Sequence, residues 1–326
     1  MTNHPKTLFI FPGQGSQYPG IGNDLYVAYT VVRDTYDEAS EVLGYDISEL
    51  SFRDPDGAIN LTRHTQPVLL THSVACLRVF NELTNQRVTP SLAAGHSLGE
   101  YSALVAAGGL SFTAALALVK SRGELMGELG EGEMAALTLE VGDARSLADQ
   151  HYCGVAACNL RDQTVVGGAA EDLDALAATM KERFPRKRST RLKTEGAFHT
   201  YYMVEAARRF RTVLAGATFA EPSLAVLSNY TGGNHDSDAD SIRSKLFLQL
   251  FNPVLWHDNL RTAAAIGVER IIEFGGGLGK GETPAEKRPN LEGIVKKTFR
   301  GAEQAPQYYP VINLATLRET AESLGG

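Results

Sequence analysis

Residues 91–99 read Ser91-Leu92-Ala93-Ala94-Gly95-His96-Ser97-Leu98-Gly99. The first five form a short apolar run that suits a buried strand, and residues 98–108 carry helical periodicity. Between them stands a G-x-S-x-G. A serine held at a tight strand-to-helix corner needs neighbours without bulk on both sides, which accounts for Gly95 and Gly99. The Ser97 hydroxyl is then presented at the carboxyl edge of a sheet. There it meets the positive end of the next helix, where developing negative charge is favoured. The competing reading, an incidental serine in a glycine-rich turn, leaves the flanking strand and helix unexplained.

The same alternation extends outward from this corner. Leu8-Phe9-Ile10-Phe11, closed by Pro12-Gly13, reads as another buried parallel strand. Helical periodicity covers residues 29–43, 66–83 and 112–129, the last ending at the breaker Gly130-Glu131-Gly132. Strand, turn and helix in this rhythm imply an α/β fold with a doubly wound, mostly parallel sheet and an α/β-hydrolase-like core. From Glu133 the rhythm changes. Strands are expected near 134–139, 154–158, 164–166 and 189–192, with helices near 143–150 and 172–184. This β-α-β-β-α-β order is the ferredoxin-like pattern. Strands resume at Leu224-Ala225-Val226-Leu227 and Arg270-Ile271-Ile272-Glu273-Phe274, so residues 133–193 read as a small subdomain inserted into a large one formed by 1–132 and 194–326. After Gly281 the chain turns polar and proline-interrupted, and no element is assigned there.

The 326 residues are 43% hydrophobic and 21% charged, which excludes a disordered chain. A net charge of −7 lacks the positive field that nucleic-acid binding requires. No apolar run approaches the ~20 residues of a membrane span or the h-region of a signal peptide. Cys76, Cys153 and Cys158 are too few for a disulfide framework or a cysteine-rich zinc site, and an odd count suits a reducing cytoplasm. No His/Asp/Glu cluster has metal spacing, and His64 and His72 read as helix-surface or core residues. Two phosphate-binding readings fail on detail. After Gly13-Gln14-Gly15, Tyr18 fills the third glycine position of a dinucleotide loop, and the candidate acids Asp34 and Asp37 fall within a helix. The Gly275–Gly281 stretch is one residue short of a Walker loop and has Gly281 in place of the Ser or Thr.

A serine hydroxyl is a weak nucleophile at neutral pH and needs a base. Among eight histidines, His96 adjoins Ser97 and is expected to point to the other side of the elbow. His199, in a loop between the last inserted strand and a helix, is one of several that could reach a sheet edge. Arg186-Lys187-Arg188, with Arg191 and Lys193, is a basic run whose ordinary role is to guard an edge strand. It could also receive an acidic carrier protein or the phosphates of coenzyme A.

Five blocks in order resemble a known family: Phe11-Pro12-Gly13-Gln14-Gly15-Ser16-Gln17; Gly95-His96-Ser97-Leu98-Gly99-Glu100; Arg122 within Leu118-Val119-Lys120-Ser121-Arg122-Gly123; Gly196-Ala197-Phe198-His199; and Gln249 ahead of Asn252-Pro253-Val254-Leu255-Trp256. The family is that of malonyl-CoA:acyl-carrier-protein transacylases and polyketide-synthase acyltransferases, here of the discrete, trans-acting kind. The resemblance implies ping-pong transfer of a malonyl-type group from acyl-CoA to an acyl carrier protein, in fatty-acid or polyketide biosynthesis, without a further cofactor or metal. It makes Ser97 the nucleophile and His199 its base, oriented by the backbone carbonyl of Gln249. The amides of Gln14 and Leu98 become the oxyanion hole. Arg122 becomes the clamp for a free substrate carboxylate, with Gln66 near the acyl pocket and Phe198 restricting an α-branch. Asn159-Leu160-Arg161-Asp162 and Gly275-Gly276-Gly277 depart from the family's usual Asn-Ser-Pro and Gly-Pro-Gly. These departures border the acyl pocket and leave open an atypical acyl group or carrier. The alternative on the same Ser97–His199 pair is a hydrolase of acyl carriers, against which Arg122 argues, since such a hydrolase has no evident need of a carboxylate clamp.

Overall fold

The apolar run near the N-terminus forms β1 (Thr7–Phe11), buried along its whole length, and the run before the elbow forms β2 (Leu92–Gly95). Residues 5–325 are described by this computed structural model. β3 (Glu133–Leu137), β4 (Gly154–Leu160), β5 (Gln163–Gly168) and β6 (Ser189–Leu192) follow as the second group of strands. β7 (Ala225–Leu227), β8 (Arg270–Phe274) and β9 (Gln307–Val311) complete the first.

The first group makes a five-stranded sheet in the order β7-β2-β1-β8-β9, parallel throughout. The chain starts at the centre, winds outward through β2 and β7, then returns to the other flank of β1. Loops therefore diverge beside the carboxyl end of β1, the place where such sheets form ligand crevices. Register pairs Phe11 with Gly95, which brings the glycine-rich loop after β1 against the serine corner after β2.

The second group makes an antiparallel sheet in the order β4-β5-β3-β6, the ferredoxin-like arrangement expected for the insert. Side chains alternate across a strand. On β3, Ala135 and Leu137 pack with Leu147, Leu173 and Leu176 of the helices Val141–Gln150 and Ala170–Arg183. Met134 and, on β5, Val165 belong instead to the hydrophobic cluster of the large sheet. The small sheet thus turns one face to its own helices and the other to the cleft. Val254 fastens the two layers, accepting from the Cys158 amide (2.8 Å) and donating to the Ala156 carbonyl (3.0 Å).

The segment left without assignment beyond Gly281 is structured. Helices Glu292–Thr298 and Leu314–Gly325 flank β9, which joins the sheet beside β8. Its sequence, Gln-Tyr-Tyr-Pro-Val, hides the strand: Pro310 cannot donate to a ladder and is tolerated because β9 lies at the edge. The structure also adds helices Ala239–Gln249 and Trp256–Ile266, which the apolar pattern does not single out. No helix among the described residues is long and apolar enough to cross a membrane.

Candidate active site

The corner after β2 is as tight as its sequence requires. A Cβ on Gly95 would overlap the backbone of Gly99, and a Cβ on Gly99 would overlap the Phe11 carbonyl. A Cβ on Gly13 would meet the His96 carbonyl oxygen, so the loops after β1 and β2 touch backbone to backbone. Ser97 sits at φ +52°, a left-handed conformation that a serine adopts only when its surroundings hold it there. Asn229, just past β7, supplies that hold. Its Oδ1 accepts from the Ser97 amide (2.6 Å) and its Nδ2 donates to the Gly95 carbonyl (2.7 Å), bridging the corner from both sides.

His199, also at positive φ (+61°), meets this corner from a segment a hundred residues away. Its Nδ1 lies 2.7 Å from the Gln249 carbonyl oxygen, which can only accept, so Nδ1 carries the hydrogen. Nε2 is then bare, and accepts from the Ser97 hydroxyl at 2.7 Å. Burial, and next the positive charge of Arg122, hold the imidazole pKa at about 3, so the ring is neutral. His96, expected on the other side of the elbow, lines the same cavity instead: its Nε2 meets Asn159 Oδ1 at 2.8 Å, its ring packs edge-on against Trp256, and neither nitrogen bonds to Ser97.

Arg122 projects from the helix Phe112–Glu128 with 1% of its surface exposed. One terminal nitrogen donates to Gln66 Oε1 (2.8 Å). The other donates to Gln249 Oε1 (3.0 Å) and to the Ser97 hydroxyl oxygen (3.3 Å). Its Nε is buried without a partner, and the guanidinium lies over the Tyr101 ring. Burial lowers its pKa, but a guanidinium stays charged in any such setting. A buried cation whose partners are all neutral is an incomplete anion site.

These groups open on one cavity of about 240 Å³, lined by Gln14, Ser97, Leu98, Arg122, Phe198 and His199 among others. Its roof is the cleft-facing side of the small sheet: Met134, Ala157, Val165 and Leu192. The amides of Gln14 and Leu98 have no hydrogen-bond partner among the described residues. The Leu98 amide stands at the start of the helix Gly99–Ala106, where backbone donors and the helix dipole favour an anion. Gln66 reaches the site through Arg122 rather than by lining the cavity. Arg186, Lys187 and Arg188 do not converge on it. They are exposed in the turn before edge strand β6, and Arg191 is taken up by Glu133 and Asp174.

Four contributors were missed by sequence reasoning. Asn229 carried no signal beyond following an apolar strand. Glu100 stood in the elbow block, yet nothing there shows that its buried carboxylate accepts from His235 Nε2 (2.6 Å), Gln249 Nε2 (2.8 Å) and the Asn229 amide (3.1 Å). Asn290 and Leu291, from the unassigned tail, line the cavity. Buried Glu273 on β8 tethers them by accepting both of their amides and the Tyr308 hydroxyl. Burial pushes the Glu273 carboxyl up to about 7.

A hydroxyl aimed at a bare imidazole nitrogen, with free amides beside it, equips the cleft for acyl transfer by way of the serine. The chain belongs to the acyl transferase domain family, which matches residues 8–274. It is 37% identical over 304 residues to the malonyl CoA-acyl carrier protein transacylase of Bacillus subtilis, covering 90% of this chain and 91% of that one. A malonyl CoA-acyl carrier protein transacylase from Streptococcus pneumoniae superposes with a TM-score of 0.86 at 33% identity, covering 98% and 100% of the two chains. A malonyl-transacylase solved in complex with a type II polyketide-synthase acyl-carrier protein matches equally well: TM-score 0.86, 33% identity, 98% and 99% covered.

Proposed function

We propose that this enzyme moves a malonyl group from coenzyme A to the phosphopantetheine thiol of an acyl carrier protein through an acyl-Ser97 intermediate. Ser97 Oγ attacks the thioester carbonyl while its proton passes to His199 Nε2. The carbonyl oxygen, now anionic, takes hydrogen bonds from the Gln14 and Leu98 amides. The carbon–sulfur bond then breaks, and the departing thiolate collects the proton from the imidazolium. The second half runs in reverse: His199 deprotonates the carrier thiol, which attacks the acyl-serine. A neutral carbonyl behind His199 stabilises imidazolium less than a carboxylate would, which suits an exchange between two thioesters of nearly equal energy.

The observation that carries the malonyl assignment is Arg122. It is buried beside the nucleophile, matched only to neutral oxygens, and its fork suits a carboxylate bidentately. The relatives named as malonyl transacylases support the same substrate. Phe198, 5% exposed in the cavity wall, leaves little room for an α-branch. In this reading residues 133–193 roof the acyl pocket as a small subdomain over a catalytic one of 1–132 and 194–326. The three free, buried cysteines suit a reducing compartment, the cytoplasm.

The test is incubation with malonyl-CoA followed by peptide mapping. A malonyl adduct on Ser97 that persists in water and is discharged by a holo carrier protein is expected. Rapid release as free malonate would make the chain a hydrolase instead.

A further inference from the structure

Arg122 poses a problem of charge. A buried guanidinium needs an anion, yet one paired directly with a protein carboxylate would have its fork occupied and would be lost as a receptor. Its partners here are the amide oxygens of Gln66 and Gln249 and the Ser97 hydroxyl. The anion stands one residue further off. Gln249 Nε2 donates to Glu100 Oε2 (2.8 Å) and to the Ser97 carbonyl (2.9 Å), while Gln249 Oε1 accepts from Arg122 (3.0 Å). The carboxamide therefore lies head to tail between a carboxylate and a guanidinium. Turning it over would set its oxygen against Glu100 and its NH2 against Arg122, so the two charges fix its orientation.

Glu100 is itself fully determined. It is wholly buried, and three donors converge on its two oxygens: His235 Nε2, Gln249 Nε2 and the Asn229 amide. Its Oε1 faces His235 Nε2, and its Oε2 takes the other two. His235 backs it from the far side, its side chain 1% exposed. Asn229 bridges the serine corner and Gln249 carries the carbonyl behind His199, so Glu100 touches both segments that position the reacting groups.

We propose that Glu100 is the internal counter-ion of Arg122, acting through the Gln249 carboxamide, so that the guanidinium is compensated while its fork meets only neutral oxygens that a substrate carboxylate can displace. Glu100 is on this account a positioning residue for malonyl selectivity. The inference rests on the reading of Arg122 as the carboxylate clamp.

The test compares acylation of Ser97 by malonyl-CoA and by acetyl-CoA in the full chain. Glu100→Gln is expected to lower kcat/KM for malonyl-CoA by roughly 10- to 100-fold, the range of one charge-assisted hydrogen bond, chiefly through KM. Acetyl-CoA, which has no carboxylate to place, is expected to lose less, so the malonyl-to-acetyl preference falls. Gln249→Met keeps the backbone carbonyl behind His199 and the Glu100–His235 contact, and is expected to reduce the preference in the same way. It decides the matter if Glu100→Gln does not fold. Arg122→Ala is the reference and is expected to abolish the preference. Parallel losses on both substrates in Glu100→Gln and Gln249→Met, with Arg122→Ala still selective, would reduce Glu100 to structural support and overturn the inference while leaving the clamp intact. An unchanged preference in Arg122→Ala would remove the clamp, and the counter-ion with it.

Discussion

Replacing Asn229 by alanine tests the most exposed link in this reading, because no substrate touches that residue. The side chain joins Ser97 N–H and Gly95 C=O, at 2.6 and 2.7 Å. Its removal leaves one donor and one acceptor without partners at a buried corner, each costing about 1–3 kcal/mol, or about 2–6 kcal/mol of stability together. The corner also holds Ser97 at φ +52°, a conformation about 1–2 kcal/mol above the right-handed alternative for a residue with a Cβ. Without the bridge that strain is free to relax, and the hydroxyl leaves its 2.7 Å contact with His199 Nε2. A displacement of about 1 Å at a reacting atom costs on the order of 100-fold in rate. Quenched-flow mass spectrometry of acyl-Ser97 formation from malonyl-CoA, run beside thermal unfolding, measures both effects. A less stable variant that acylates as fast as the unaltered chain would refute the argument, since the corner would then hold its geometry without the bridge.

Three further outcomes are expected. Arg122→Lys keeps the charge but not the planar fork, so Gln66 and Gln249 cannot both be met; kcat/KM for malonyl-CoA falls roughly 10- to 100-fold in steady-state assays. The base must be neutral, and burial together with Arg122 holds His199 at about 3. Lowering the pH therefore protonates it only far below the ordinary histidine range: kcat/KM for malonyl-CoA should show no acid limb near 6.5, and a limb there would contradict the buried, neutral imidazole. Reversing the charges of Arg186, Lys187 and Arg188 should raise KM for an acidic carrier protein and flatten its dependence on salt, and an unaltered KM at two ionic strengths removes this turn from carrier recognition.

How much of the site was legible depended on the range of each constraint. The elbow was readable because its demand is local: no Cβ fits at Gly95 or Gly99, and both glycines lie within two residues of Ser97. The insert was readable for a similar reason, since period-two and helical patterns alternate within sixty residues. β9 was not, because an edge strand needs no unbroken apolar run and Pro310 argues against one. His199 was only one histidine among eight until the family resemblance singled it out.

By itself the sequence determined the strands and helices whose apolar period is unbroken, the inserted β-α-β-β-α-β unit, and the corner that presents Ser97, all products of short-range sterics and hydrophobic period. Only the tertiary structure decided which distant groups share that corner. Asn229 from the end of β7, Gln249 from the end of the helix Ala239–Gln249, and Asn290 and Leu291 from the charged tail meet it through hydrogen bonds spanning up to 152 residues and through a shared cavity wall. Nothing in a linear pattern encodes such bonds, because a buried donor is satisfied by whichever acceptor the packed chain brings within about 3 Å, however far along the sequence it lies.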